Sequence, residues 1–101
     1  MKYYLLNAKF VENHVNGNQL QKAIKEHLDY LENGLNSGQI LLSGPKVDAE
    51  GGIIIIKSTD FDEVCEFCKK DPIVVAGIQH YEIIEFTLYS CQNEIKKWFI
   101  K

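Results

Sequence analysis

The sequence predicts an α+β domain of the ferredoxin-like type, with one antiparallel sheet and both main helices on the same face of that sheet. Four short segments carry the alternating or continuous apolar pattern of β-strands, and two other segments have helical apolar spacing. Along the chain these elements follow the order βαββαβ. A short helical tail follows the last strand, so we expect a single domain over residues 1–101, with a core of residues 1–89 and a tail of residues 90–101.

The first half of the chain contains a strand and a long amphipathic helix. Residues Lys2–Phe10 alternate and are rich in tyrosine and leucine, which is typical of a strand. From residue 19 to about residue 35 the apolar side chains recur at helical spacing, and the glycine at 34 or 38 can end the helix. The stripe on the inner face of this helix consists of Leu20, Ala23, Ile24, His27, Leu28, Leu31 and Leu35.

The next two strands and the second helix follow in the middle of the chain. Residues 39–43 form a short apolar strand that runs into Gly44-Pro45, and residues 53–56 are four consecutive isoleucines. The second helix is expected over about residues 60–69, with Thr59 or Asp60 as its N-cap. Its inward side chains are predicted to be Phe61, Val64, Cys65 and Cys68.

The last part of the chain adds a short turn, a strand and the tail. Asp71-Pro72 opens a new turn of helix, because proline favours the first helical position. Residues 80–89 form the fourth strand. Ser90 can then cap a C-terminal helix that carries Trp98 and Phe99 on one side.

Composition and charge argue against several classes of partner. The net charge is −3 and is mixed along the chain, without the basic face of a nucleic-acid binder or of a polybasic membrane anchor. No apolar run approaches the roughly 20 residues that a membrane span needs, and the apolar start is too short for a signal peptide. The three cysteines do not suggest a disulfide framework. We therefore expect a cytoplasmic protein that binds neither nucleic acid nor membrane.

The strand patterns predict a homodimer. Residues 53–56 are apolar on both faces of their strand, and the fourth strand has apolar side chains on both faces as well. Two helices can cover only one face of the sheet, so the other face needs a cover, and the simplest one is the same face of a second copy. Trp98 and Phe99 must also dock, because a tail helix this short is not stable alone. Docking on their own domain and docking across the dimer both remain open.

Two polar residues are candidates for chemistry. His27 lies in the middle of the inner stripe of the first helix, where it is either a core histidine bonded to a backbone carbonyl or a proton-transfer group that lines a pocket. Asp71 can cap the turn that Pro72 opens, and it can also orient a histidine for acid–base work. Both roles of Asp71 can coexist.

The cysteines carry a weaker signal. Cys65 and Cys68 have CxxC spacing, but they lie inside a predicted helix rather than at the helix N-terminus that would activate a thiolate. We interpret both as core residues. Cys91, His14 and His80 are scattered without the spacing of zinc ligands, so no metal site is expected.

Four sequence segments form a familiar series: residues 27–31 (HLDYL), residues 38–45 (GQILLSGP), residues 52–55 (GIII) and Asp71-Pro72 followed by Ala76-Gly77. In this order and spacing they resemble the YciI-like (YCII-related) family of the dimeric α+β-barrel superfamily. The resemblance runs from Lys2 to about Phe86 and implies a ferredoxin-like fold, dimerisation through the sheet faces and a pocket with a histidine and an aspartate. Those two positions correspond to His27 and Asp71.

The resemblance also indicates an activity. One branch of the family removes chloride from a chlorinated hydroxyquinol, and the His–Asp pair is thought to act as an acid–base dyad. This chain departs from many relatives at two positions: Ile24 stands where they have an arginine, and Ile73 where they have an aromatic residue. The first difference puts in doubt the binding of an anionic substrate.

The leading hypothesis is therefore a cofactor-independent acid–base enzyme of lyase or isomerase type that acts on a small organic molecule. His27 would move the proton, and Asp71 would orient the His27 imidazole or stabilise its positive charge. Gly44 and Pro45 would form the pocket wall. Neither a metal nor an organic cofactor is implied. Two alternatives are a non-catalytic module that binds a small ligand in the same pocket, and a purely structural dimer domain.

Overall fold

The computed structural model describes residues 1–99 as a four-stranded antiparallel sheet with the two main helices on one face. The spatial order of the strands is β2-β3-β1-β4, which is the ferredoxin-like order. The strands are β1 (Lys2–Phe10), β2 (Ile40–Pro45), β3 (Gly52–Ser58) and β4 (Gln79–Phe86). The helices are α1 (Gly17–Asn36), α2 (Phe61–Lys70), α3 (Pro72–Val75) and, after a 3-10 turn (Asn93–Ile95), α4 (Lys96–Phe99). The predicted fold class is confirmed.

The core lies between the sheet and the two main helices. On β1 and β3 every second side chain is buried, and the strand register places Leu6 opposite Ile54 and Tyr4 opposite Ile56 on the helix-facing side. The helices cover this layer with Leu31 of α1 and with Val64, Phe67 and Cys68 of α2. The isoleucine run of β3 thus contributes Ile54 and Ile56 to the core, while its two other isoleucines lie on the opposite face.

The start of α2 follows from its capping residues. The Asp60 side chain accepts a hydrogen bond from the backbone N–H of Glu63, and the Glu63 carboxylate accepts one from the N–H of Thr59. Hydrogen bonds from Ser58 and Thr59 lower the pKa of Glu63. Of the two predicted caps, Asp60 is therefore the N-cap.

The predicted inner face of α2 is partly wrong. Val64 and Cys68 are buried as expected, but Phe67 is buried as well and Cys65 is only half-buried. Phe61 is exposed, because it lies at the first position of the helix, where its ring meets only the edge of the core near Tyr4.

The fourth strand is shorter than predicted. It ends at Phe86, which pairs with Tyr3, because β1 begins at Lys2 and has no residue that could pair with residues 88 and 89. The tail also begins later than predicted. Ser90 does not cap it; the 3-10 turn starts at Asn93 after Gln92, and no side chain caps this turn.

The face of the sheet that is turned away from the helices, called the open face below, carries many apolar side chains. The strand register places on it Tyr3 and Leu5 of β1, Leu42 of β2, Ile53, Ile55 and Lys57 of β3, and Ile84 and Phe86 of β4. Leu42, Ile53 and Ile84 are exposed. As the apolar strand patterns indicate, α1 and α2 leave this face uncovered.

The tail docks on one end of the open face of its own chain. The Trp98 indole N–H donates to the carbonyl of Gly38 at 2.7 Å, and the Lys57 ammonium donates to the carbonyl of Trp98 at 2.7 Å. The Tyr3 hydroxyl donates to the carbonyl of Phe99, and the rings of Trp98 and Phe99 pack against the Tyr3 ring. Of the two docking modes that the sequence left open, the structure has docking within the chain.

Replacing Trp98 with alanine tests this docking. We expect the W98A variant to lose about 2 kcal/mol of unfolding free energy, less than a fully buried tryptophan contributes, because Trp98 is only partly buried. That loss corresponds to roughly 10 °C in Tm for a domain of this size. Thermal unfolding followed by circular dichroism would measure it.

The control variant is Tyr89→Ala, because Tyr89 is fully exposed in the segment that leads to the tail. It should melt like the wild type. Equal melting temperatures of W98A and Y89A would contradict the docking. If the difference in melting temperature between W98A and the wild type changes with protein concentration, the tail instead docks on a second copy.

Candidate active site

A cavity of about 410 Å³ lies between α1 and the helix-facing side of the sheet. Its volume is in the range of small-molecule pockets, and most of the side chains that line it are apolar. The lining residues that matter for chemistry or shape are His27 of α1, Ser43, Gly44 and Pro45 of β2, and Gln79 and Tyr81 of β4. Ala8 of β1 and Ile54 of β3 line it as well, so all four strands and the longest helix contribute to one site.

The wall that was predicted from Gly44 and Pro45 lies at this cavity. It continues into the loop between β2 and β3, which is held against β1 at Gly51. Gly51 has a φ of +101°, and a Cβ atom built there would lie 2.0 Å from the carbonyl oxygen of Ala8. Only glycine permits this approach, so the β2–β3 loop has a fixed position at the rim.

His27 and Asp71 meet at the cavity, although 44 residues separate them in the sequence. The Nδ1 atom of His27 lies 2.8 Å from Oδ1 and 2.9 Å from Oδ2 of Asp71. The Asp71 side chain is fully buried, and the His27 side chain is 14% exposed. The structure thus brings together the two residues that the resemblance indicated, and it excludes the alternative of a histidine bonded only to backbone.

The Asp71 carboxylate accepts two further hydrogen bonds. The Tyr81 hydroxyl donates to Oδ2 at 2.6 Å, and the backbone N–H of Ile73 donates to Oδ1 at 3.1 Å. The bond from Ile73 makes Asp71 the N-cap of α3, so the capping role and the pairing with His27 coexist. A buried carboxylate is costly without partners, and here three donors compensate its lost hydration.

Tyr81 is the member of this cluster that the analysis of the sequence missed. Burial raises the pKa of Tyr81 far above the ordinary value of a tyrosine, and the neighbouring Asp71 charge raises it further. The same two causes raise the pKa of the nearby Tyr30 to about 12. Tyr81 therefore stays protonated and acts as a donor to Asp71. Its only signal in the sequence is the alternation of the fourth strand, which places it on the helix-facing side.

The pairing with Asp71 determines what His27 can do. An ionised carboxylate only accepts hydrogen bonds, so the Nδ1 atom of a neutral His27 must carry the proton. The lone pair then lies on Nε2, which has no hydrogen-bond partner within residues 1–99. Because His27 lines the cavity, this lone pair is available to a molecule bound there. This arrangement can accept a proton from a bound molecule, and Asp71 would stabilise the imidazolium that forms.

The cysteines lie apart from this chemistry. Cys65, Cys68 and Cys91 are all free thiols, and burial raises the pKa of Cys68 to about 12, as expected for a core residue. Within residues 1–99, no group of three histidine, cysteine or acidic side chains is placed to hold a metal ion. None of the helices described is long and apolar enough to cross a membrane.

A pair of tyrosine variants tests the hydrogen bond to Asp71. Replacing Tyr81 with phenylalanine keeps the ring but removes a donor to a buried charge, so we expect a loss of about 2 kcal/mol in unfolding free energy. The matched control is Tyr4→Phe, because the buried Tyr4 hydroxyl has no hydrogen-bond partner in the described part of the chain, and its loss should leave the protein equally or more stable. Urea unfolding would measure both, and similar values for Y81F and Y4F would contradict this assignment.

Two comparisons with known proteins agree with this structure, while no curated protein matches the chain. The solved structure of 5-chloro-2-hydroxyhydroquinone dehydrochlorinase from Burkholderia phenoliruptrix AC1100, in complex with 2,5-dihydroxybenzoquinone, superposes with a TM-score of 0.65. That match covers 84% of this chain and 93% of the other at 24% sequence identity, so it shows a shared fold. The family model of the YCII-related domain matches residues 1–87, which is everything but the tail. The chain therefore belongs to the YCII-related domain family.

Proposed function

We propose that this protein is a small acid–base enzyme, a lyase or an isomerase, that acts on a small organic molecule. The observation that carries the proposal is the bond between His27 Nδ1 and the buried Asp71, which leaves the Nε2 atom of His27 without a partner at the cavity. An imidazole held in that state at a mostly apolar cavity can act as a general base. The chemistry requires neither a metal nor an organic cofactor.

His27 and Asp71 have different roles in the proposed reaction. His27 Nε2 takes a proton from carbon or oxygen of the substrate, and the electron pair of the broken bond forms a new π bond. In a lyase a leaving group departs with the electrons of its own bond; in an isomerase His27 returns the proton to another substrate atom. Asp71 keeps the imidazole in the Nδ1–H form and stabilises the imidazolium. Gly44 and Pro45 shape the wall beside the reacting molecule.

The dehydrochlorinase with the similar fold suggests which reaction to test first. Loss of hydrogen chloride from a hydroxylated ring is an elimination, in which a base removes a proton and chloride leaves with its bonding pair. His27 supplies such a base. Release of chloride from 5-chloro-2-hydroxyhydroquinone is therefore the first assay, followed by enolisable molecules of similar size that would undergo isomerisation.

Replacing His27 with alanine tests the catalytic role. We expect kcat/KM to fall by about 10²- to 10⁴-fold, the usual contribution of a general base, while the fold is retained. His80→Ala is the matched control, because His80 is exposed on β4 and does not line the cavity. Turnover should be measured alongside the circular dichroism spectrum of each variant.

Three outcomes would contradict the enzymatic proposal. A folded His27→Ala variant with unchanged turnover would exclude His27 as the base. Binding of ring compounds by the wild type without turnover of any of them would favour the alternative of a non-catalytic binding module. Failure to bind any small molecule would favour a structural domain.

We also propose that the protein is a homodimer that pairs through the open face. Up to residue 99, the tail covers the end of this face near Tyr3 and Lys57, and Leu42, Ile53 and Ile84 are exposed. A contiguous apolar surface of this kind is costly in water, and a second copy that presents the same face would bury it.

A charge in the middle of the open face tests the dimer. Light scattering should give the wild type about twice the 11.6 kDa mass of one chain, and the I84E variant should be monomeric because its carboxylate would be buried between the copies. Val75→Glu is the control, because Val75 is also an exposed apolar residue but lies on α3, away from the open face. A monomeric wild type, or a dimeric I84E variant, would contradict this interface.

A further inference from the structure

Gln79, the first residue of β4, is a buried polar residue without a partner. It is 8% exposed and lines the cavity, and its side-chain amide makes no hydrogen bond within residues 1–99. The strand register pairs it with Phe10 and places it on the helix-facing side, two residues before Tyr81. A primary amide has two donors and two acceptor lone pairs, and those of Gln79 keep some accessible surface at the cavity, since they are not among the buried side-chain atoms that lack a partner. A group that enters the cavity would satisfy it.

The neighbours of Gln79 at the cavity do not offer that partner. Ala8, Phe10 and Ile24 line the same cavity with apolar side chains. The Tyr81 hydroxyl is already bonded to Asp71, and Asp71 itself has three donors. Besides the Nε2 atom of His27, the Ser43 side chain lines the cavity and has no hydrogen bond among the described residues. The cavity therefore combines apolar walls with a few polar groups that remain available.

The charges around the cavity restrict the class of ligand. No lysine lines it among the residues described, and the sequence contains no arginine at all, so a second copy of the chain could not supply a guanidinium either. The buried Asp71 carboxylate lies behind His27, which lines the cavity. A ligand carboxylate or phosphate would lose its hydration here and would meet a like charge.

We propose that Gln79 is the specificity-determining residue of the cavity and that its amide hydrogen-bonds a hydroxyl or carbonyl oxygen of an uncharged, largely apolar organic ligand. The inference rests on the proposed function in so far as the same cavity presents the ligand to His27. Gln79 positions the oxygen, the apolar walls enclose the rest of the molecule, and anionic compounds of similar size are rejected. A site that hydrogen-bonds a ligand hydroxyl discriminates strongly against the analogue that lacks it.

Three probe molecules test this specificity by NMR titration of the wild-type protein. Resorcinol is uncharged and carries ring hydroxyls, toluene has a similar ring without oxygen, and 3-hydroxybenzoate adds a carboxylate. We expect resorcinol to bind more tightly than either of the others. The Gln79 side-chain amide protons should move downfield with resorcinol, as in a hydrogen bond, and should not do so with toluene.

The Gln79→Met variant removes the amide and keeps the length of the side chain. It should weaken resorcinol binding by about tenfold, the factor that corresponds to one net hydrogen bond. Toluene affinity should not fall. Gln21→Met is the matched control, because Gln21 is exposed on α1 and does not line the cavity.

Several results would overturn the assignment of Gln79. These are no binding of resorcinol by the wild type, tighter binding of 3-hydroxybenzoate than of resorcinol, unchanged resorcinol affinity in a folded Q79M variant, or Gln79 amide protons that do not respond to resorcinol. The last of these measurements uses the wild-type protein, so it tests the proposal even if Q79M does not fold.

The role of Gln79 and the enzymatic role of His27 can fail independently of each other. If resorcinol binding depends on Gln79 but no substrate is turned over, the enzymatic proposal fails and the role of Gln79 stands. If turnover depends on His27 but Q79M leaves both KM and resorcinol affinity unchanged, the role of Gln79 fails alone.

Discussion

The fully buried carboxylate of Asp71 is the group around which the site is built. Its charge is tolerable in the interior because the His27 imidazole, the Tyr81 hydroxyl and the Ile73 N–H all donate to it. These donors come from α1, β4 and α3, so one interaction links three parts of the fold. The same carboxylate caps α3 and orients His27, which means that the requirement to satisfy a buried charge also places a base at the cavity.

The ferredoxin-like topology makes this convergence possible. The strand order β2-β3-β1-β4 places β4 at one edge, next to β1, and the main helices α1 and α2 lie over one face of the sheet. Asp71, in the junction between α2 and α3, therefore reaches both His27 on α1 and Tyr81 on β4. The opposite face of the sheet stays free for the tail at one end and, in our proposal, for a second copy over the remaining apolar surface. Chemistry and association are assigned to different faces of one sheet.

The sequence predicted those features that depend on local pattern. The spacing of α1, the isoleucine run of β3 and the Asp71-Pro72 start of α3 each specify an element through neighbouring residues, and the structure agrees. Features that depend on residues distant in the chain could not be predicted from the sequence. The end of β4 is determined by where β1 begins, and Phe61 is exposed because it lies at the edge of the core. The roles of Tyr81 and Gln79 depend on the cavity to which four strands and a helix contribute. The pairing of His27 with Asp71 was indicated only by the family resemblance.

The position of the imidazole proton tests the account most directly. Long-range ¹H–¹⁵N spectra of the wild-type protein distinguish the protonated from the unprotonated ring nitrogen, and they should be recorded at alkaline pH, where histidine is neutral. The account predicts that His27 carries its proton on Nδ1, donated to Asp71, and has the lone pair on Nε2. A His27 ring with its proton on Nε2 would contradict it, because neither the bond to the carboxylate nor the free base at the cavity would then exist.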